Sequence, residues 1–235
     1  MSLKWTATRI TADAADKIQA NAGLIVNRFD VANPVKPAEA DIVCDTTGNI
    51  TITCKPTVED FFADVNNAPN NTKEGKRITD WDCSLGFTCL SQTVNTLKLM
   101  LGAADTLSDG GIAPRRQYQS SDFNDLWWLG DMIDEDKLLA VRILNGVSTE
   151  GLTLTTAKNG KGTSQVTITG HVSTADLDTQ PMAFYVLTKA EPAYYDATKT
   201  YAVDDQVTYD GKVYECTTAI TTPEAWTAAH WTEVV

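Results

Sequence analysis

The chain has 235 residues, a formal net charge of −12 and 43% hydrophobic residues. This is enough apolar material for one large core and a small second one. It leaves too little Lys and Arg for a surface that grips nucleic acid through its phosphates, although an acidic wall lets nucleic acid pass without sticking.

Residues 1–22 hold no apolar segment of the kind a secretory leader needs, and no apolar run reaches the ~18 residues of a spanning helix. The expectation is synthesis in the cytoplasm and no membrane partner. Thr11 to Ala22 reads as a short helix capped by Thr11, with Ala14, Ala15, Ile18 and Ala22 on one face and Gly23 as its stop. LIVNRF (24–29) reads as a strand, and NPVKP (33–37) as a proline-punctuated connector. DIVC (41–44) and NITITCK (49–55) read as a hairpin joined by DTTG.

The next stretch is polar and lacks apolar periodicity. It comprises Asp64, Val65, Asn66, Asn67, Ala68, Pro69, Asn70, Asn71, Thr72, Lys73, Glu74, Gly75 and Lys76. A structureless loop of this length is unusual in a compact domain unless it has a job. RITDWDCSLGFTCL (77–90) then alternates, with Ile78, Trp81, Cys83, Leu85, Phe87 and Cys89 on the buried side of a long strand. Its cysteines read as small core residues. SQTVNTLKLMLG (91–102) reads as a helix capped by Ser91 or Thr93, with Val94, Leu97, Met100 and Leu101 as its stripe and Gly102 as its end. Strands are predicted at 122–131, 137–146, 151–158, 164–172 and 182–188, with a hairpin turn at Asn159-Gly160. The main body is therefore mainly β, a sandwich or barrel with one or two flanking helices.

No constellation for catalysis stands out. The two histidines, His171 and His230, lie far apart and read as structural. No G-x-S-x-G or H-E-x-x-H occurs, and GKGT (160–163) lacks the upstream glycine of a phosphate loop. Asp131, Asp134, Glu135 and Asp136 lack the spacing of a calcium loop and read as a solvated turn. The five cysteines form no CxxC pair, so neither a zinc site nor a disulfide framework is expected. The expectation is a protein without catalytic activity, cofactor or metal.

The composition changes at EPAYYD (191–196). Residues 191–235 hold eight carboxylates against Lys199 and Lys212, a net of −6 and half the charge of the chain. This predicts two domains, residues 1–189 and 190–235. VTYDGKVYEC (207–216) reads as a hairpin with a two-residue Asp-Gly turn, so Tyr209 faces Lys212 and Val207 faces Tyr214. Val207, Tyr209, Tyr214 and Cys216 then share a face, and Trp226 or Trp231 closes the miniature core.

Tyr201, Asp204-Asp205, Val207, Tyr209, Gly211, Tyr214 and Trp231 resemble the hairpin pattern of the small chitin-binding-like modules of carbohydrate-binding families five and twelve. The pattern's usual glycine is Asp204 here, and CTTAITT (216–222) stands where its exposed aromatic pair belongs. The resemblance implies candidate glycan contacts at Trp226, Tyr201 and Trp231.

The main body resembles the major tail proteins of long-tailed, non-contractile bacteriophages. The similarity is carried by TADAADKIQANAGLIVNRFD, GNITITCKPT, DVNNAPNNTKEGKR with Trp81, SQTVNTLKLMLGAAD, PRRQYQSSDFNDLWWLGD, VRILNGVSTEGLTLTTAKNGKG and TITGHVSTADLDTQPMAFYVL. It implies hexameric rings stacked into a virion tail tube around a tape-measure protein, between tail terminator and distal tail proteins, with DNA only in transit. Residues 64–76 become the ring-stacking loop, and the C-terminal module decorates the tube and meets a host surface glycan. Two other readings remain open at this level. One is a secreted polysaccharide binder or hydrolase with a chitin-binding-like tail, and the other is a single-ring tail component with the same fold.

Overall fold

The computed structural model describes Thr11 and residues 13–234. Its main body is mainly β. Among the described residues the strands are β1 (Leu24–Val26), β2 (Thr46–Asp60), β3 (Lys76–Cys89), β4 (Ala104–Thr106), β5 (Ile112–Pro114), β6 (Asn124–Asp131), β7 (Lys137–Ser148), β8 (Thr153–Thr155), β9 (Thr163–Thr169) and β10 (Met182–Thr188), with one α-helix, α1 (Val94–Leu101). Eight of these strands form one sheet, in the order β1-β6-β7-β9-β3-β2, with β10 on β7 and β8 on β9.

The sheet folds over at β7. The first part of β7 lies between β6 and β10, and its last residues, Val147 and Ser148, pair with β9 instead. The bend sits at Asn145, whose φ is 47°, and at Gly146, where a Cβ would meet Ile168 at 2.8 Å. Asp125 accepts the Asn145 N–H, and the Asn145 amide donates to the His171 carbonyl at 3.0 Å. The His171 ring Nδ1 lies 3.1 Å from the Asn145 carbonyl and its edge meets Phe123, so His171 helps hold this corner.

Folding over brings both halves of the sheet onto a shared core. Ile25, Trp128, Val141 and Ile143 from one half pack against Cys83, Leu85, Phe87 and Ile168 from the other, with Met100 of α1 at one end. The outer face of β1, β6 and β7 carries a second apolar layer of Val26, Trp127, Leu129 and Ala140, covered by Phe29 and Val31. Thr93 caps α1 by a reciprocal pair of hydrogen bonds with Thr96, and Gly102, at φ 73°, ends it. The helix buries Thr96 and Met100, while Val94, placed on the apolar stripe from sequence, is exposed.

Three expectations change. In place of a helix over Thr11–Ala22 there is only a short 3-10 turn at Ala15–Lys17, and Ala12 lies outside the described residues. Gln19 beyond that turn bridges Met132, so tertiary pairing overrides the weak helical pattern. DIVC does not pair with NITITCK. Ile42 bridges Val26, the Val43 N–H donates to Ile25, and β2 pairs along nearly its whole length with β3. Ile78 is half exposed: a register shift between Thr57 and Val58 sets it opposite Val58 on the same face as Trp81, but nothing covers that face beyond Trp81.

The C-terminal residues form a separate three-stranded sheet, β11 (Gln206–Tyr209), β12 (Lys212–Cys216) and β13 (Trp231–Glu233). Its own core contains Val207, Cys216, Ile220 and Trp231.

Candidate functional site

Two parts of the molecule stand out, the C-terminal module and the β2–β3 hairpin. In the module, Val207 faces Tyr214 and Tyr209 faces Lys212 across an Asp210-Gly211 turn with φ of 49° and 75°. Positive φ at both positions is the twist-matched two-residue turn that Asp-Gly favours. Tyr195, Tyr201, Tyr214 and Trp226 surround the core of this sheet.

The rings form an ordered stack. Trp226 lies parallel to Tyr209, with centroids 3.9 Å apart, and stacks on Trp231 at 5.2 Å. Tyr195 presents its edge to Tyr209, Trp226 and Trp231. Of the three candidate contacts named from sequence, Trp231 is buried, and Tyr201 and Trp226 are half-buried. Trp226 spends its faces on its two neighbours. Tyr209 is the outermost ring of the stack at 37% exposure, and Tyr194, beside Thr208 on the other side of the sheet, is 76% exposed. The sequence carried a signal for Tyr209 in its partner Lys212, a residue that no core position tolerates without pairing.

Residues 194–232 match the family model of carbohydrate-binding module family 5/12. The chain thus carries a carbohydrate-binding module of that type at its C-terminus. No curated protein matches the chain.

The module is bolted to the main body. The Ala190 N–H donates to Pro34, and the Thr208 side chain and N–H donate to Pro192 and Ala193. Lys36 of the body pairs with Glu215 at 2.6 Å, and Gln206 donates to the same carboxylate. Lys36 first, then Gln206, holds Glu215 below the ordinary glutamate range. Between the connector at 35–38 and the module lies a cleft of about 310 Å³, bordered by Tyr194, Asp204 and Asp205. His230 lies against Glu224, its Nδ1 2.7 Å from the carboxylate.

The second part is an arm. The pairing of β2 with β3 extends from Thr46↔Cys89 to Asp60↔Lys76. Inward residues are covered only as far as Cys54, Cys83 and Trp81, and beyond them Lys55 to Glu59 on one strand and Lys76 to Asp80 on the other are exposed. At about 3.3 Å per residue, the free part from Pro56 to Asp60 projects ~15 Å before the loop begins. Pro56 is tolerated because the other edge of β2 is unpaired. Val58, Phe61, Val65 and Ile78 on the arm are each about half exposed.

The loop containing residues 64–76 differs from the structureless segment expected. It is a chain of tight turns, closed by hydrogen bonds from Ala63 to Asp60, from Val65 to Phe62 and from Ala68 to Val65. The Asp60 carboxylate organises it, accepting from the N–H groups of Phe62 and Asn71 and pairing with Lys76 at 3.0 Å. Lys76 also donates to the Asn71 side chain at 2.8 Å. Asn67 and Asn71 sit at φ 65° and 64°, a conformation asparagine enters more readily than other side-chain-bearing residues. Asn67 and Asn71 are therefore turn residues, and Lys73–Gly75 closes the loop with a 3-10 turn.

Proposed function

We propose that this chain is a structural, non-catalytic subunit of a bacteriophage tail tube, with its carbohydrate-binding module displayed on the outside of the tube. The observation that carries the reading is the arm. It projects from a well-packed body, presents apolar side chains at mid-length and tip, and ends in a loop of defined shape. Each Val, Ile or Phe left in water forgoes about 1.5–3 kcal/mol relative to burial. A contiguous set of them marks a surface that a partner covers. A neighbouring copy of the same chain is that partner, with hexameric rings stacked through residues 64–76. β10 supports self-association in the same way, since Phe184 and Val186 are more than half exposed. An acidic lumen around a tape-measure protein would pass DNA without holding it, and tail terminator and distal tail proteins would close the ends. The subunit would be made in the bacterial cytoplasm and carried in the virion.

The module would engage a polysaccharide on the host surface through its exposed rings, Tyr209 and Tyr194. A second reading, a polysaccharide-binding protein that does not polymerise, is favoured by the module match alone.

Negative-stain microscopy of the purified chain at rising concentration, with light scattering, separates the two. Hollow tubes or stacked rings are the expected result. Monomers that stay monomeric when nucleated by preformed tail tips would overturn the tube reading. Chitin pull-down and a glycan array test the module. Tyr209→Ala is expected to weaken retention roughly tenfold, the ~1.4 kcal/mol of a lost aromatic contact. Unchanged retention in both Tyr209→Ala and Tyr194→Ala would exclude these rings as the sugar platform.

A further inference from the structure

Cys54 on β2 and Cys83 on β3 are directly opposed in the antiparallel register, and their sulfurs lie 3.3 Å apart. Directly opposed residues in such a pair have Cα atoms ~4.5–5.5 Å apart. Disulfides span ~4.4–6.8 Å. Closing the bond needs a side-chain rotation and a small approach of the two sulfurs, with no change of strand pairing. The pair also occupies a particular place. It lies on the inward face just below Trp81, the last covered side chain before the arm leaves the body.

We propose that Cys54 and Cys83 are a reversible disulfide site, a staple at the root of the arm that closes when the protein meets a small-molecule disulfide of the glutathione type. The proposal rests on this geometry alone and holds whether or not the chain forms tubes.

The chemistry runs in two exchanges. Cys54 is half-buried and Cys83 is buried, so Cys54 is the thiol that solvent can reach. Its thiolate attacks one sulfur of oxidised glutathione, forms a mixed disulfide and expels one glutathione thiolate, which takes up the proton Cys54 gave up. Cys83 then loses its proton, attacks the Cys54 sulfur and expels the second glutathione. Two thiols become one disulfide, and the two electrons and two protons leave on the two glutathione thiols. Burial, and then the Cys54 thiol beside it, push the Cys83 thiol up to about 12, which makes it a poor first attacker. It succeeds as the second because its target is already in contact, where proximity replaces a bimolecular encounter.

The other cysteines serve as internal controls. Cys44 and Cys89 are both buried in the core, and the Cys89 thiol donates to the Ser91 carbonyl. Cys216 lies in the module and donates to the Thr218 carbonyl.

The test uses the full chain, purified reduced, freed of reductant and incubated with oxidised glutathione. Free thiols are then alkylated, and the protein is digested and mapped by mass spectrometry without reduction. The expected result is an intact mass lower by two hydrogens and a single cross-linked peptide joining Cys54 to Cys83. A protease nick in residues 61–72 should leave two fragments that run together on a denaturing gel and separate only after reductant. Cys54→Ser should abolish both signatures, and Cys83→Ser should stop the reaction at a glutathione adduct on Cys54. A persistent adduct on Cys54 in the unaltered chain, a cross-link between any other pair, or no loss of free thiols would each overturn the proposal.

Discussion

Gly102 ends α1 at φ 73°, and a Cβ there would sit 2.2 Å from the Ser148 carbonyl oxygen. Gly48 has nearly the same φ, 71°, but nothing within 4 Å of its missing side chain. The two positions separate backbone strain from collision. Gly48→Ala is expected to cost about 1 kcal/mol, the conformational term alone. Gly102→Ala is expected to cost about 3 kcal/mol or more, because β7 must move as well. Denaturant midpoints at unchanged slope measure both. Equal losses would mean that the helix end yields freely against β7.

At the scale of elements, the arm and the body are expected to separate cleanly. The core residues of β2 and β3 lie at or below Cys54 and Trp81, so deleting Asn66 to Thr72 removes nothing the body packs on. The prediction is a monomer with an unchanged melting midpoint that no longer stacks, read by calorimetry and microscopy side by side. Normal tubes from this variant would sink the role assigned to the loop. The elements also show what the sequence made legible. β10 and the Asp-Gly hairpin were readable to the residue because their register is fixed by local pattern and turn chemistry. The pairing of NITITCK was not, because proximity in sequence favoured DIVC and the true partner lay across a long loop. Ile78 kept the face read for it, opposite Val58 and in line with Trp81, but not the burial, since the hairpin runs past the body there and no local pattern announces where its cover ends. The facing of Cys54 and Cys83 was hidden in the same way, since it follows only from the register of two strands 29 residues apart. The module's exposed ring was half legible, because the pattern gave the faces of the hairpin but not the order of stacking among Tyr209, Trp226 and Trp231.

At the scale of the whole molecule, the junction between body and module depends on pH. The folded-state pKa of Glu215 is depressed below its ordinary value of 4.5, chiefly by Lys36. Its contribution to docking is therefore complete above 4.5 and fades as pH falls through the lower folded value. The pair is part-exposed, so the effect is a loosening and not an unfolding. Backbone relaxation by NMR is expected to show the module tumbling with the body at neutral pH and more independently in acid. Glu215→Gln should show the acid behaviour at neutral pH. Identical tumbling in both would mean that the backbone ties at Pro34 and Ala193 suffice.

Those backbone ties also bear on avidity. A domain on a loose tether explores a volume and finds its ligand by search, whatever the arrangement of its neighbours. This module has little such freedom, because the segment joining it is hydrogen-bonded on both sides. In any assembly of the chain, the spacing between sugar sites would be the spacing between bodies. The array would then act as a ruler, gripping polysaccharides whose repeats match its pitch and slipping from those that do not.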